Sequence, residues 1–291
     1  MRILILGADG MIGHKLSQIF YNSSIDLHLN SRKNSAVLKQ LFPKAKIYKY
    51  DFLLSDIIDL FKKIKPNYIL NSCGITIRRG ANLNLISTKK INTELPNLIH
   101  KWSIKNNSKL IHFSTDCVFN GQKGNYKDND VTNALDPYGS TKARGEISME
   151  NTLTIRSSMI GREIFNKTEL LEWVIKNNLE EIKGYSNVIY SGITTLQMSK
   201  YVYEIIDKNL LMHGIYNVSS NFISKYDLIK FIVEKFNLNI NVKNDRSVFS
   251  NKSLNSNKFF KKTGFKKPLW NLMLDELFLD SIKFNDLYKK N

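Results

Sequence analysis

The first thirteen residues constrain the fold more than any other part of the chain. Apart from Arg2, residues 2–6 (Arg2-Ile3-Leu4-Ile5-Leu6) are apolar, the pattern of a strand buried on both faces. Gly7-Ala8-Asp9-Gly10-Met11-Ile12-Gly13 follows directly, then a helical pattern through about Phe20. In a strand–turn–helix setting the first glycine permits a tight turn. The second lets a pyrophosphate approach the backbone, and the third lets the helix pack on the sheet. The helix N-terminus then faces the phosphates. Gly7, Gly10, Met11, Ile12 and Gly13 are therefore candidate dinucleotide contacts.

Further strands are expected at Ile25–Leu29, Lys46–Tyr50, Tyr68–Gly74, Lys109–Phe113, Thr152–Arg156 and Gly214–Val218, with helices between them, including Ile91–Lys105. This alternation predicts an α/β chain: a Rossmann-like doubly wound parallel sheet with ligands at the carboxyl ends of its strands. The second strand runs into Ser31-Arg32-Lys33, where a carboxylate would select a free ribose diol. Two cations and a hydroxyl suit a 2′-phosphate instead, so NADP(H) is the expected cofactor. Asp51 and Phe52 fall where an adenine would lie, and Cys73 and Gly74 are small residues allowing close cofactor approach. Ser114 is delivered to the same edge. Asn92 is placed to point toward the site. Arg78-Arg79, after the fourth strand, is as compatible with a solvated loop as with a phosphate contact.

Asp136-Pro137 is a helix start: a side-chain cap, then a residue with φ pre-set and no amide hydrogen to satisfy. Tyr138 sits in the first turn, and Lys142 lies four residues on, along the same face. A phenol with a cation beside it at a helix N-terminus has its phenolate favoured, and such a tyrosine can exchange a proton with a substrate oxygen. The plain alternative is an exposed i,i+4 pair on an ordinary helix.

The 291 residues are 42% hydrophobic and carry a formal net charge of +17. That charge is mostly lysine spread along the chain, without an aromatic-interleaved basic stripe, so nucleic acid is not an expected partner. No apolar run reaches the length of a membrane span, and a cytoplasmic location is expected. Cys73 and Cys117 lack metal-ligand spacing, so no metal is expected. His14 reads as a solvated or phosphate-side residue, and Trp102 and Trp173 as packing. Periodicity is less regular from Gly161 to about Ser191, followed by helices at Leu196–Ile206 and Ile223–Phe236, the latter capped by Ser224, and near Trp270–Leu279. The absence of a Pro/Gly linker predicts interleaved lobes: 1–160 with about 192–222 binding the cofactor, about 161–191 with 223–291 binding the substrate.

The chain resembles the extended short-chain dehydrogenases/reductases that act on nucleotide-linked sugars, and in particular the dTDP-4-dehydrorhamnose reductase group. The resemblance is carried by Gly7-x-x-Gly10-x-x-Gly13, by Phe113-Ser114-Thr115-Asp116-Cys117-Val118-Phe119-Asn120-Gly121, and by Tyr138-Gly139-x-x-Lys142-x-x-Gly145-Glu146. Tyr216-Asn217-Val218-Ser219 and Thr263-Gly264-Phe265 extend it loosely to the C-terminal third. It implies NADPH-dependent reduction of the 4-keto group of a nucleotide-linked 6-deoxyhexulose in surface-polysaccharide sugar biosynthesis. Tyr138 would be the general acid, Lys142 would lower its pKa and hold the nicotinamide ribose, and Thr115 would bond the same carbonyl oxygen. Asp116, Cys117 and Met159 would face the sugar. Partners implied are a nucleotide-linked keto-sugar and, at most, a second copy of the chain as a homodimer, with no nucleic acid and no membrane insertion.

Two departures stand out. The group carries Tyr where Cys117 stands and Trp where Met159 stands, which points to a substrate other than the dTDP-rhamnose precursor. A reductase that also epimerises, similar to GDP-fucose synthase, is one alternative, with Cys117 as its acid–base residue. Glu163 then stands where the partner histidine is expected. A 4,6-dehydratase would need Glu at Cys117. A non-catalytic relative of the regulatory subunit of methionine adenosyltransferase is a third reading.

Overall fold

The computed structural model describes residues 1–21, 23–76, 84–210 and 212–289, so Arg78-Arg79 lies outside the described residues. Strands and helices alternate as the apolar runs require. They are β1 (Arg2–Leu6), α1 (Gly13–Tyr21), β2 (Asp26–Ser31), α2 (Ser35–Leu41), β3 (Lys46–Lys49), α3 (Ile57–Ile64), β4 (Tyr68–Asn71), α4 (Leu85–Lys89), α5 (Leu95–Lys105), β5 (Lys109–Ser114), α6 (Pro137–Arg144) and β6 (Thr152–Arg156). Then come β7 (Met159–Ile160), α7 (Leu170–Lys176), β8 (Glu181–Tyr185), β9 (Val188–Tyr190), β10 (Ile193–Thr194), α8 (Thr195–Asp207) and β11 (Gly214–Asn217). The C-terminal part adds β12 (Ile223–Ser224), α9 (Lys225–Lys235), β13 (Asn241–Asp245), β14 (Ser250–Asn251), α10 (Asn257–Thr263), α11 (Trp270–Lys283) and α12 (Asn285–Lys289).

Among the described residues, a seven-stranded sheet has the order β11-β6-β5-β4-β1-β2-β3, every pair parallel. The order reverses at β1, which lies between β2 and β4, and this is where a doubly wound sheet opens a crevice. Gly7 leaves β1 there and Ser72 leaves β4. One apolar layer packs α1 and α8 on one face through Ile3, Ile5, Leu16 and Val202, and another packs α3 and α5 on the other through Leu4, Leu6, Phe61 and Ile99. The short strands outside this sheet fall within 159–194 and 223–251, pairing as β13-β8, β12-β9-β14 and β10-β7.

Several expected bounds move. β2 extends to Ser31, so Asn30 and Ser31 are strand residues, both buried. The irregular stretch after Gly161 contains α7, β8 and β9. The helix expected from Ile91 begins earlier, at α4, and passes through a π turn at Lys90–Glu94 before α5. Pro96 explains the widening: it has no N–H to bond the carbonyl of Asn92, and its ring crowds that carbonyl in a regular helix. His14 is not solvated but fully buried.

Candidate active site

A cleft of about 230 Å³ opens at the reversal point of the sheet. Gly7, Gly10, Arg32, Lys33, Asp51, Phe52, Cys73 and Gly74 line it, as the sequence pattern expects. Gly7 has φ +71°, a left-handed turn that favours glycine. A Cβ on Gly13 would lie 2.0 Å from the carbonyl oxygen of Gly7, so α1 packs on the turn only because Gly13 has none. A Cβ on Gly10 would meet only the Gly7 oxygen within 4 Å, at 3.3 Å, so this face of the turn is open to a phosphate. Arg32 and Lys33 are exposed at the rim, where a 2′-phosphate would be reached.

Two expected contacts have their side chains elsewhere. Ser31 does not line the cleft: it is buried, and its Oγ accepts the Asn34 N–H at 2.9 Å. The Ile12 side chain belongs to the apolar layer under the sheet. The cleft includes residues that the strand pattern did not single out: Asp9, whose carboxylate accepts from Asn34 Nδ2 at 2.8 Å, and Phe165 and Asn166 from the far wall.

The residues expected to transfer a proton come together beside the cleft. Asp136 caps α6 as its sequence indicates, accepting the Gly139 N–H at 2.8 Å, with Pro137 opening the helix. Thr115 follows β5, and its Oγ1 accepts the Cys117 N–H at 3.1 Å. Helix α6 lies against this turn at Gly139, where a Cβ would stand 2.1 Å from the Cys117 carbonyl oxygen. The close approach sets the Tyr138 phenol near the Thr115 hydroxyl, which itself donates to Asp116 Oδ1 at 3.1 Å. At the other end of the helix a Cβ on Gly145 would stand 2.0 Å from the Asn92 carbonyl oxygen, to which Pro96 cannot donate. Asn92 itself is fully buried and donates to Ile75 O at 3.0 Å and Thr141 Oγ1 at 3.2 Å, tying the β4 loop to α6. Ser114 Oγ donates to Glu146 Oε1 at 2.7 Å, and Glu146 holds Arg156 in a buried bidentate pair.

The electrostatics differ from the expectation. The Tyr138 phenol is pushed up by burial and by the nearby Cys117, with the Thr115 hydroxyl opposing, rather than pulled down by Lys142. Lys142 Nζ is 2.6 Å from Phe113 O and donates to it, and burial brings its pKa down to about 8 against the pull of Glu146. The Cys117 thiol is pushed up to about 12 by burial and the adjacent Asp116, the opposite of what an acid–base thiolate needs. Glu163 is buried, its Oε2 accepting the Thr168 and Glu169 amides at 2.7 and 2.8 Å, so it shapes a loop. Met159 is half-buried on β7 against the apolar layer. Among the described residues no group of three or more His, Cys, Asp or Glu could hold a metal ion, and no helix is long and apolar enough to cross a membrane.

The family described as the RmlD substrate binding domain matches residues 1–278. A dTDP-4-dehydrorhamnose reductase of Aggregatibacter actinomycetemcomitans is 30% identical over 239 residues, 78% of this chain and 76% of that protein. The chain belongs to the RmlD substrate-binding family. Among solved structures, a hypothetical dTDP-4-dehydrorhamnose reductase from Sulfolobus tokodaii superposes with a TM-score of 0.76 at 27% identity, covering 93% of this chain and 98% of that one. The Bacillus anthracis dTDP-4-dehydrorhamnose reductase, solved in complex with NADP, has a TM-score of 0.75 at 21% identity, covering 96% of this chain and 99% of that one. The fold is that of the extended short-chain dehydrogenases/reductases.

Proposed function

We propose that this chain is an NADPH-dependent oxidoreductase that reduces the 4-keto group of a nucleotide-linked 6-deoxyhexulose, in the supply of sugars for surface polysaccharide. The observation that carries it is the packing of α6 on the Cys117 turn, which sets Tyr138 near Thr115 beside an open glycine turn whose rim bears Arg32 and Lys33. The named activity of the Aggregatibacter relative and the NADP of the Bacillus anthracis structure support the same reading. NADPH, when bound, supplies the hydride. Gly7 and Gly10 would face its pyrophosphate, with Arg32 and Lys33 toward its 2′-phosphate.

The chain's own residues handle the proton. Negative charge develops on the carbonyl oxygen as the bond is reduced, and two hydroxyls aimed at it stabilise that charge. Tyr138, kept protonated by burial, donates its proton there, and Thr115 holds the same oxygen. Lys142, buried between β5 and α6, would hold the cofactor's ribose when it is bound. An epimerising reaction through Cys117 finds no support in a thiol held at about 12 and a loop-shaping Glu163. A purely regulatory role does not require these three side chains to converge.

The test is a panel of 4-keto sugars on UDP, dTDP and GDP, incubated with NADPH and the purified chain, followed at 340 nm and by product NMR. NADPH consumption with a new C4 carbinol is expected for one donor. No consumption with any of them would sink the proposal.

A further inference from the structure

Beneath the glycine turn a set of ionisable side chains is packed away from solvent, and the reaction uses none of them. His14, Lys15 and Tyr288 are buried, with Arg162 and Glu172 beside them. Their hydrogen bonds run in one consistent direction. Lys15 Nζ donates to Gln18 Oε1 and Asp280 Oδ2, and to the Tyr288 hydroxyl at 3.3 Å. Tyr288 therefore accepts from Lys15, and its own proton turns to His14 Nε2, 3.1 Å away. That nitrogen must accept, so the imidazole proton sits on Nδ1 and is donated to the Gly10 carbonyl at 2.9 Å. Burial and the neighbouring Lys15 hold the His14 pKa at about 3, so the ring stays neutral and the direction is fixed. The chain of donors ends on Gly10, a residue of the phosphate-facing turn.

The same tyrosine also reaches the opposite wall. The Arg162 guanidinium lies 4.5 Å from the Tyr288 ring centroid. Arg162 pairs with Glu172, whose Oε1 also accepts the Glu163 N–H at 2.9 Å. Glu163 in turn holds the Thr168 and Glu169 amides, closing a loop with two successive left-handed residues, Asn166 at φ 67° and Lys167 at φ 51°. Phe165 and Asn166, at the tip of that loop, line the cleft across from Asp9 and Gly10.

We propose that α12, through Tyr288, fixes the two walls of the cofactor cleft relative to each other, which makes Tyr288 a positioning residue for the dinucleotide. The hydroxyl sets the glycine turn through His14, and the ring sets the Phe165–Asn166 loop through Arg162. The proposal rests on the reading of this cleft as the NADPH site. A residue that only packed the C-terminal helix would change melting temperature without selectively changing dinucleotide affinity.

The experiment compares wild type, Tyr288→Phe and Tyr288→Leu in NADPH binding by calorimetry, in kcat at saturating NADPH, and in melting temperature. Losing one buried hydrogen bond implies that Tyr288→Phe weakens NADPH binding about three- to ten-fold. Its kcat stays within about two-fold, because Tyr288 touches neither the sugar nor the reacting oxygen. Tyr288→Leu loses the ring contact as well and binds more weakly still. Unchanged NADPH affinity in both variants, beside a wild type that binds it, overturns the proposal even if melting temperature falls. A wild-type chain that does not bind NADPH at all overturns the cofactor reading beneath it.

Discussion

Gly139→Ala should reduce turnover strongly although alanine is the better helix former. A Cβ there would stand 2.1 Å from the Cys117 carbonyl oxygen and 2.6 Å from the Ala134 Cβ, whereas ordinary contacts begin near 3.4 Å. The nearer atom is backbone and cannot rotate away, so α6 and the Cys117 turn must separate by about 1 Å. Helix propensity favours alanine by only about 1 kcal/mol, and overpacking costs about 1–3 kcal/mol, so stability falls by at most about 2 kcal/mol. The geometry changes more. Tyr138 rides on α6 and Thr115 opens the Cys117 turn, so the separation falls directly between the two hydroxyls. A displacement of that size costs about 100-fold in rate, or about 2.7 kcal/mol of barrier. Steady-state kcat with NADPH and the keto-sugar is the assay, with NADPH affinity as the control, because the glycine turn is on another element. A Gly139→Ala enzyme with kcat near wild type would refute the close approach as the source of the site's geometry.

Arg32→Ala should weaken NADPH binding about ten-fold or more and leave NADH binding nearly unchanged, since one charge-assisted hydrogen bond to the 2′-phosphate is worth about 1.5–3 kcal/mol; equal specificity constants for the two cofactors in wild type would contradict it. NADPH affinity of the free enzyme should fall as pH rises through about 8, where Lys142 loses its proton. The sign for stability is opposite: between about 8 and the ordinary 10.5 the unfolded chain binds the proton and the folded chain does not, so this lysine's contribution rises with pH across that window. A pH profile of NADPH affinity unchanged by Lys142→Met would dismiss Lys142 as its origin. Turnover in deuterated water should place no solvent deuterium on C3 or C5 of the sugar, with wild type and Cys117→Ser alike, because the thiol is held at about 12; label appearing in wild type and vanishing in the variant would restore the epimerising alternative.

Local features were legible before the fold. The strand–glycine–helix opening and the Asp136-Pro137 cap are set by residues within a few positions of one another, and both stand where the spacing puts them. What escaped depends on contacts across the chain. Ser31 looks like a free hydroxyl beside two cations, but β2 continues far enough to bury it. The π turn requires reading Pro96 against the carbonyl of Asn92, which the apolar periodicity of that helix conceals. The charge state of Tyr138 follows from burial, which a motif does not record, so the expected direction of its pKa reversed. Phe165 and Asn166 reach the cleft only because Glu163 folds its loop back on itself. Their one trace in the sequence is the Asn-Lys pair, of which asparagine tolerates a left-handed backbone.

The central claim is that Tyr138 gives its proton to a substrate carbonyl while NADPH lies in the glycine-turn cleft. Single-turnover kinetics of wild type and Tyr138→Phe, each preloaded with NADPH and mixed with the best keto-sugar of the panel, test it directly. The account expects NADPH affinity to survive in Tyr138→Phe and the rate of nicotinamide oxidation to fall by about two to four orders of magnitude. A Tyr138→Phe enzyme that oxidises bound NADPH at close to the wild-type rate would contradict it.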